Sequence, residues 1–361
     1  MNALLQRLAQ IYFIAAVVVP VLPPPWARAL GGIGLCLLGL AAAADAVGGA
    51  GGDSRFTTAN EILAGLGLLI VLASLVAAWR GRGATDSPGE GWEPAPRAGH
   101  PGLDPFLLAG LALAALAPHL LALGAGAMLA LVAAARSALH AKSPAWLVPA
   151  ALTAVLLAGS LALTLTILGP GGGSVRGLPD GPFSPAAERW LALLFGGAAV
   201  LVAGIPPLHR APWRLSLAPL GAVLIARIVA AGFPGGLAAW QPLAMLGVAV
   251  ALGWATLAGR WPAVAAAAGL LALLSGEGGG RLPGFVLVLW AWTLDLLPTL
   301  GEGRGIGLRA RRTGFPAVIP ALAALPALTA VLRVQVTVSV LGILALAAGL
   351  GVAARRRFPS G

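Results

Sequence analysis

Charge is scarce in this sequence. Only 10% of its 361 residues are Asp, Glu, Lys or Arg, whereas 59% are hydrophobic. Soluble domains carry about 25% charged residues, so a chain this poor in charge cannot cover a surface that faces water. Lysine is nearly absent: the sequence contains one, Lys142.

Cysteine is almost absent, and the signatures of soluble enzymes are missing. The one cysteine, Cys36, lies in an apolar run, which excludes an internal disulfide and a cysteine metal site. No Walker loop, dinucleotide fingerprint, nucleophile elbow or pair of histidine ligands occurs. The run Gly171-Gly172-Gly173 lacks the strand and helix that a phosphate cradle requires. We therefore expect no cofactor, no bound metal and no catalytic activity of the chain's own.

Long apolar runs fill the chain instead. A helix needs about 20 apolar residues to cross the hydrocarbon core of a membrane, and backbone polar groups in lipid are satisfied by helices. The sequence predicts an all-α polytopic membrane protein with about 13 transmembrane helices. The expected spans are 8–23, 29–47, 60–79, 105–121, 122–140, 145–168, 189–208, 215–234, 239–258, 261–275, 284–300, 315–332 and 334–354.

The basic residues are divided unequally between the two sets of loops. The net charge of +11 is scattered over short loops, which does not favour a nucleic-acid partner. Sixteen of the 23 basic residues fall on one side, and six fall on the other. By the positive-inside rule, this predicts a bacterial inner-membrane protein with its N-terminus outside and its C-terminus in the cytoplasm. The six on the outer side are Arg7, Arg55, Arg176, Arg189, Arg281 and Arg333.

A few ionisable residues fall within or beside the apolar runs. An ionisable group inside a membrane is costly and is a functional candidate by default. Arg227 and Asp295 are the clearest, and they could equally form a buried structural ion pair. Asp45 can reach the membrane interface, and His119 and His209 stand beside prolines at the ends of runs, where a helix-end role is the simpler interpretation. No glutamate falls in the middle of a span.

Four short segments occur in the order and spacing of one membrane-protein family. They are His119–Met128, Ala203–Trp213, Pro219–Phe233 followed by Trp240-Gln241-Pro242-Leu243, and Gly307-Leu308-Arg309 with Leu325–Arg333. Together they resemble the antiporter-like, N- and M-type subunits of respiratory complex I, which are related to Mrp antiporters and membrane-bound hydrogenases. The resemblance covers about two thirds of the chain. It implies two broken helices, near Pro206-Pro207 and Pro326, in inverted repeats.

The positions of the proton relay depart from that family. The family's glutamate and two of its lysines fall on Met128, Val202 and Val229, and these side chains cannot pass a proton. A third lysine falls on Arg333, and arginine stays protonated and is a poor relay element. The resemblance therefore implies a degenerate, non-pumping or weakly ion-translocating subunit of an NADH-quinone oxidoreductase-like assembly. The remaining ion-path candidates are Arg227, Asp295, Arg333 and His209.

This interpretation divides the chain into four parts and names its partners. An N-terminal three-helix segment, 1–79, precedes a polar cytoplasmic loop, 80–104. The first antiporter-like repeat and a connecting helix follow at 105–258, and a truncated second repeat occupies 259–361. The expected partners are other integral membrane subunits and lipids.

Two other functions stay open on the sequence. The chain could be a stand-alone secondary transporter with a midplane site built from Arg227, Asp295 and tryptophans such as Trp254, Trp290 and Trp292. It could also be a membrane enzyme acting on lipid or glycan through Asp86, Glu90, Glu93 and His100 of the loop 80–104. The glycines, prolines and mixed charges of that loop favour a flexible linker instead.

Overall fold

The computed structural model describes residues 104–117, 119–140, 147–169, 173–203, 217–257 and 261–275, with 284, 287–289, 291, 292 and 347 as isolated positions. The described part is all-helical and contains no strand. The chain divides into two compact units at Val148, and the helices described before residue 141 fall in the first of them.

Seven helices account for most of the described residues. They are α1 Pro105–Leu116, α2 Leu120–His140, α3 Leu147–Leu168, α4 Pro185–Val202, α5 Ala218–Gly232, α6 Pro234–Leu257 and α7 Trp261–Leu274. A short 3₁₀ turn, Val175–Gly177, precedes α4.

The first unit contains the hairpin of α1 and α2. Asp104 caps α1 by accepting a hydrogen bond from the Phe106 backbone N–H at 2.9 Å. The Nδ1 atom of His119 accepts from the Leu121 N–H at 3.3 Å at the start of α2. The two helices cross at Gly110 and Gly126, where a Cβ on either glycine would lie 2.6 Å from a backbone atom of the other helix. Small residues of this kind let the backbones of membrane helices approach closely.

Among the described helices, three are long and apolar enough to cross a membrane: Leu147–Leu168, Pro185–Val202 and Pro234–Thr256. At 1.5 Å per residue, the first of these is about 33 Å long, which matches the hydrocarbon thickness of a bilayer. The other apolar helices described are shorter, between 10 and 17 residues.

The buried hydroxyls of α3 bond to their own helix. Thr153 donates to the Pro149 carbonyl at 2.8 Å, Ser160 to the Leu156 carbonyl at 2.8 Å and Thr164 to the Ser160 carbonyl at 2.7 Å. A hydroxyl bonded to a carbonyl of the preceding turn leaves no orphaned polar group in an apolar setting.

The second unit packs α4, α5, α6 and α7 together. Helix α4 contacts both α5 and α6, and α6 contacts α7. Nearly all of α5 is buried, and Phe233 at its end packs against Phe183 and Phe195, with ring centroids 5.2 and 6.0 Å apart. Helix α7 in turn meets Gly284, whose carbonyl would lie 2.6 Å from a Cβ at Gly269.

The helix bounds differ from the predicted spans at several ends, and the reasons are local. Helix α1 ends at Leu116 and does not reach the predicted residue 121. The proline at position 118 disfavours the α conformation for the residue before it, and Ala117 accordingly has a ψ of 123°. Helix α4 begins four residues before the predicted 189, since Ser184 caps it and Pro185 stands at its first position. Helix α6 begins at Pro234, five residues before the predicted start.

The predicted spans 8–23, 29–47, 60–79 and 315–332 lie outside the described residues, as do most of 284–300 and all of 334–354 except position 347. The loop 80–104 is described only at Asp104. The count of about 13 helices and the four-part division of the chain stay predictions.

Candidate functional site

A carboxylate from α4 caps the start of α6. The Oε1 atom of Glu188 accepts hydrogen bonds from the backbone N–H groups of Gly235 at 2.7 Å and Gly236 at 3.1 Å. The first N–H groups of a helix have no partner within the helix and lie at the positive end of its dipole. The residue before α6 is Phe233, whose side chain has no acceptor, so a residue 47 positions before Gly235 supplies the cap.

Glycine is required where α4 and α6 meet. A Cβ on Gly236 would overlap the Glu188 carbonyl oxygen and would lie 2.8 Å from the Ala192 Cβ. A Cβ on Gly235 would lie 3.0 Å from both carboxylate oxygens of Glu188. The Pro-Gly-Gly sequence, which by itself suggests a loop, therefore forms the first turn of a helix that α4 approaches closely.

Two further polar contacts join the same end of the bundle. The Trp240 indole Nε1–H donates to the Arg189 carbonyl of α4 at 3.0 Å. The Gln241 amide donates to the Leu274 carbonyl at 2.8 Å and the Ser275 carbonyl at 3.1 Å, which caps the C-terminus of α7. Glu188, Gly235, Gly236, Trp240 and Gln241 form what we call the end clasp, because they join the ends of three helices.

Helix α5 contains a π-helical turn, Leu224–Val229. The Ala230 N–H donates to the Ile225 carbonyl, five residues back and not four. Five of the six residues in the turn are buried, and the sixth, Arg227, is half-buried. Turns of this type are rare and occur frequently at functional sites.

The structure places four of the sequence-derived site residues. Arg227 lies in the π turn, and Val229 ends that turn, 2% exposed. Val202 ends α4 and is 5% exposed. All three belong to the second unit, in which α4 packs against the π turn. Met128 is half-buried on α2 in the first unit.

The other predicted site residues lie outside the described part of the chain. They are Asp295, Arg333 and His209, together with Asp45, Trp290 and the loop candidates Asp86, Glu90, Glu93 and His100. The ion pair of Arg227 with Asp295 therefore stays a prediction. His119, by contrast, is described, and it lies at a helix start, where its ring nitrogen serves as a cap.

Sequence reasoning missed the residues of the end clasp. Glu188 lies just before the predicted span at 189, and its distance from Gly235 along the chain hides the contact. A local signal did exist, since Ser184 and Pro185 mark the start of α4 and place Glu188 in its first turn. No comparable signal in the sequence indicates the π turn.

Within the described ranges, no three His, Cys, Asp or Glu side chains gather into a group that could hold a metal ion. No family model matches the sequence, and no curated protein matches it either.

Proposed function

We propose that this chain is a non-pumping, antiporter-like membrane subunit of a complex-I-like redox or ion-translocating assembly. Its role in that assembly is mainly structural, and it carries no catalysis of its own. The proposal extends to about 13 transmembrane helices, two of them broken and arranged in inverted repeats. It also places the chain in a bacterial inner membrane, with its N-terminus outside.

One observation carries the non-pumping part of this proposal. The resemblance puts relay positions at Val202 and Val229, and both side chains are buried in the packed second unit, at 5% and 2% exposure. A proton path through a membrane needs titratable side chains, and a buried valine offers neither a proton site nor room for water. Helices this apolar are suited to spacing and supporting neighbouring subunits in a bilayer.

A second candidate, a stand-alone secondary transporter, rests on a different observation. Arg227 is the one ionisable residue of α5 and lies in its π turn, surrounded in sequence by buried apolar residues. A charge at such a place inside a membrane is a functional candidate. In this alternative, Arg227 and Asp295 together form a midplane site.

Co-purification from the native membrane tests the two candidates against each other. The tagged chain is expressed at its natural level and extracted in mild detergent, and the co-migrating proteins are identified by mass spectrometry. An unrelated multi-spanning protein with the same tag serves as the control. We expect several other polytopic subunits and a redox module with this chain and not with the control. Recovery of the chain alone, as a monomer or homodimer, would contradict the subunit proposal and favour the transporter.

A further inference from the structure

The first two turns of α6 have a sequence that opposes helix formation. Pro234 is acceptable at the first helical position, but Gly235 and Gly236 follow it, and glycine has the lowest helix propensity after proline. A second proline, Pro242, stands inside the same helix. We call Pro234–Gln241 the leading segment of α6. Its helical form must depend on contacts outside the segment.

Pro242 separates the leading segment from the rest of α6. Proline has no backbone N–H, so the Ala238 carbonyl loses the partner that an α-helix supplies four residues ahead, and the proline ring crowds that carbonyl. The remainder of the helix, Leu243–Leu257, starts directly after this gap in the hydrogen-bond ladder. The two parts of α6 are therefore joined less firmly than neighbouring turns of an ordinary helix.

Five hydrogen bonds join the leading segment to α4 and α7. Glu188 accepts two of them, from the Gly235 and Gly236 N–H groups. The Trp240 indole donates the third, to α4, and the Gln241 amide donates two to the C-terminal end of α7. These are the contacts of the end clasp, so the segment is held from both sides by hydrogen bonds.

Apolar packing is distributed in the opposite way along α6. In the leading segment, Leu237 is the one large side chain that is buried. After Pro242, the helix buries Met245, Val248 and Leu252 at 2% exposure or less. A region with few buried apolar contacts opens locally at a lower free energy than a packed one. The leading segment is therefore the part of α6 that the clasp, and not the core, keeps in place.

We propose that the leading segment is a two-state latch, helical while the end clasp holds it and able to open at that end of the bundle while Leu243–Leu257 stays packed. Pro242 sets the boundary between the two parts. Opening releases the ends of α4, α6 and α7 from one another without unfolding the helices. This inference rests on the contacts of α6 and does not depend on the subunit proposal.

Amide hydrogen exchange in the full-length protein, read by mass spectrometry in detergent, tests the latch directly. Residues 189–193 of α4 are the internal reference, because the bond of Trp240 to the Arg189 carbonyl places them at the same end of the bundle. We expect the amides of residues 237–241 to exchange at least about tenfold faster than this reference. Equal or slower exchange in the leading segment would overturn the proposal.

Two substitutions should move this exchange in opposite directions. Glu188→Ala removes two of the five bonds and should raise exchange at 237–241 by at least about tenfold, with that of Leu243–Leu257 unchanged. Pro242→Ala restores the bond to the Ala238 carbonyl and should slow exchange in the leading segment by at least about tenfold.

Gly247→Ala is the matched control within α6. It adds a methyl group beyond the proline with no atom within 4 Å, and it should change exchange at 237–241 by less than about twofold. Glu188→Gln keeps an acceptor oxygen and gives a milder variant if the alanine variant does not fold. A rise spread evenly over the whole of α6 in the Glu188 variants would show that the helix opens as one unit and would overturn the latch. So would an unchanged exchange rate in the Pro242→Ala variant.

Discussion

The α1–α2 hairpin and the end clasp hold apolar helices together in two different ways. In the hairpin, Gly110 and Gly126 bring two backbones into direct contact in the middle of the helices. At the end clasp, Glu188 and Gln241 satisfy the unpaired backbone groups where helices begin and end. The hairpin should therefore be sensitive to added volume, whereas the clasp should be sensitive to the loss of a particular acceptor or donor.

The difference follows from what lipid offers a helix. Lipid tails contact apolar side chains as well as another helix does, but they cannot form hydrogen bonds with the free N–H and C=O groups at helix ends. Association of helices therefore relies on close packing in the middle and on hydrogen bonds at the termini. Both kinds of contact occur at Gly236. Its N–H is capped by Glu188, and α4 also approaches its backbone closely. Substitutions can separate the two contributions.

The largest expected effect is in the hairpin. Gly126→Ala places a Cβ 2.6 Å from the Ala114 nitrogen and 2.7 Å from the Gly110 oxygen, so two helices must separate. We expect a loss of about 3 kcal/mol in the free energy of unfolding, measured by thermal unfolding in detergent. Gly159→Ala is the matched control, since no atom lies within 4 Å of its added Cβ. A similar loss in both variants would show that the close contact is not the cause.

Removing the acceptor of the clasp should have the next largest effect. Glu188→Ala leaves the Gly235 and Gly236 N–H groups without their carboxylate, and we expect a loss of about 2 kcal/mol. Glu188→Gln keeps an acceptor oxygen and should lose about half as much. Asp180→Ala, at an exposed position in the preceding loop, should change little. An equal effect of the alanine and glutamine variants would argue against the cap.

The donor half of the clasp can be tested separately. Gln241→Leu retains most of the side-chain volume but cannot donate to the carbonyls of Leu274 and Ser275. We expect a loss of about 1 kcal/mol in the same unfolding measurement. Combined with Glu188→Ala, the two losses should add to within about 0.5 kcal/mol if the two caps act independently. A strong departure from additivity would show that the clasp acts as one unit.

The smallest effect is expected at the tryptophan of the clasp. Trp240→Phe removes the indole N–H that donates to the Arg189 carbonyl and keeps an aromatic ring. We expect a loss of about 0.5 kcal/mol. Trp254→Phe, on the exposed face of α6, is the control for the loss of indole surface alone. A larger loss at position 254 would assign the main role of these tryptophans to the membrane interface.

The sequence predicts much of the helical architecture and little of the clasp, for physical reasons. Long apolar runs such as 145–168 reach the membrane-spanning length by themselves, and the structure has α3 at Leu147–Leu168. The contact of Glu188 with Gly235 depends instead on how α4 and α6 pack, which no local pattern encodes. The π turn at Leu224–Val229 is similarly hidden, because no turn residue or cap in the sequence marks it.

Cysteine labelling tests most directly whether the described helices cross a membrane. In a Cys36→Ser background, single cysteines replace Asp180 in the loop before α4, and Val155 and Val250 on the exposed faces of α3 and α6. A membrane-impermeant maleimide is applied to intact cells and to opened membranes. We expect the Asp180→Cys variant to react in both preparations, and the two valine positions, although 68% and 65% exposed in the structure, to react in neither because hydrocarbon covers them. Reaction of the valine positions at the rate of Asp180→Cys would place these faces in water and contradict the membrane assignment.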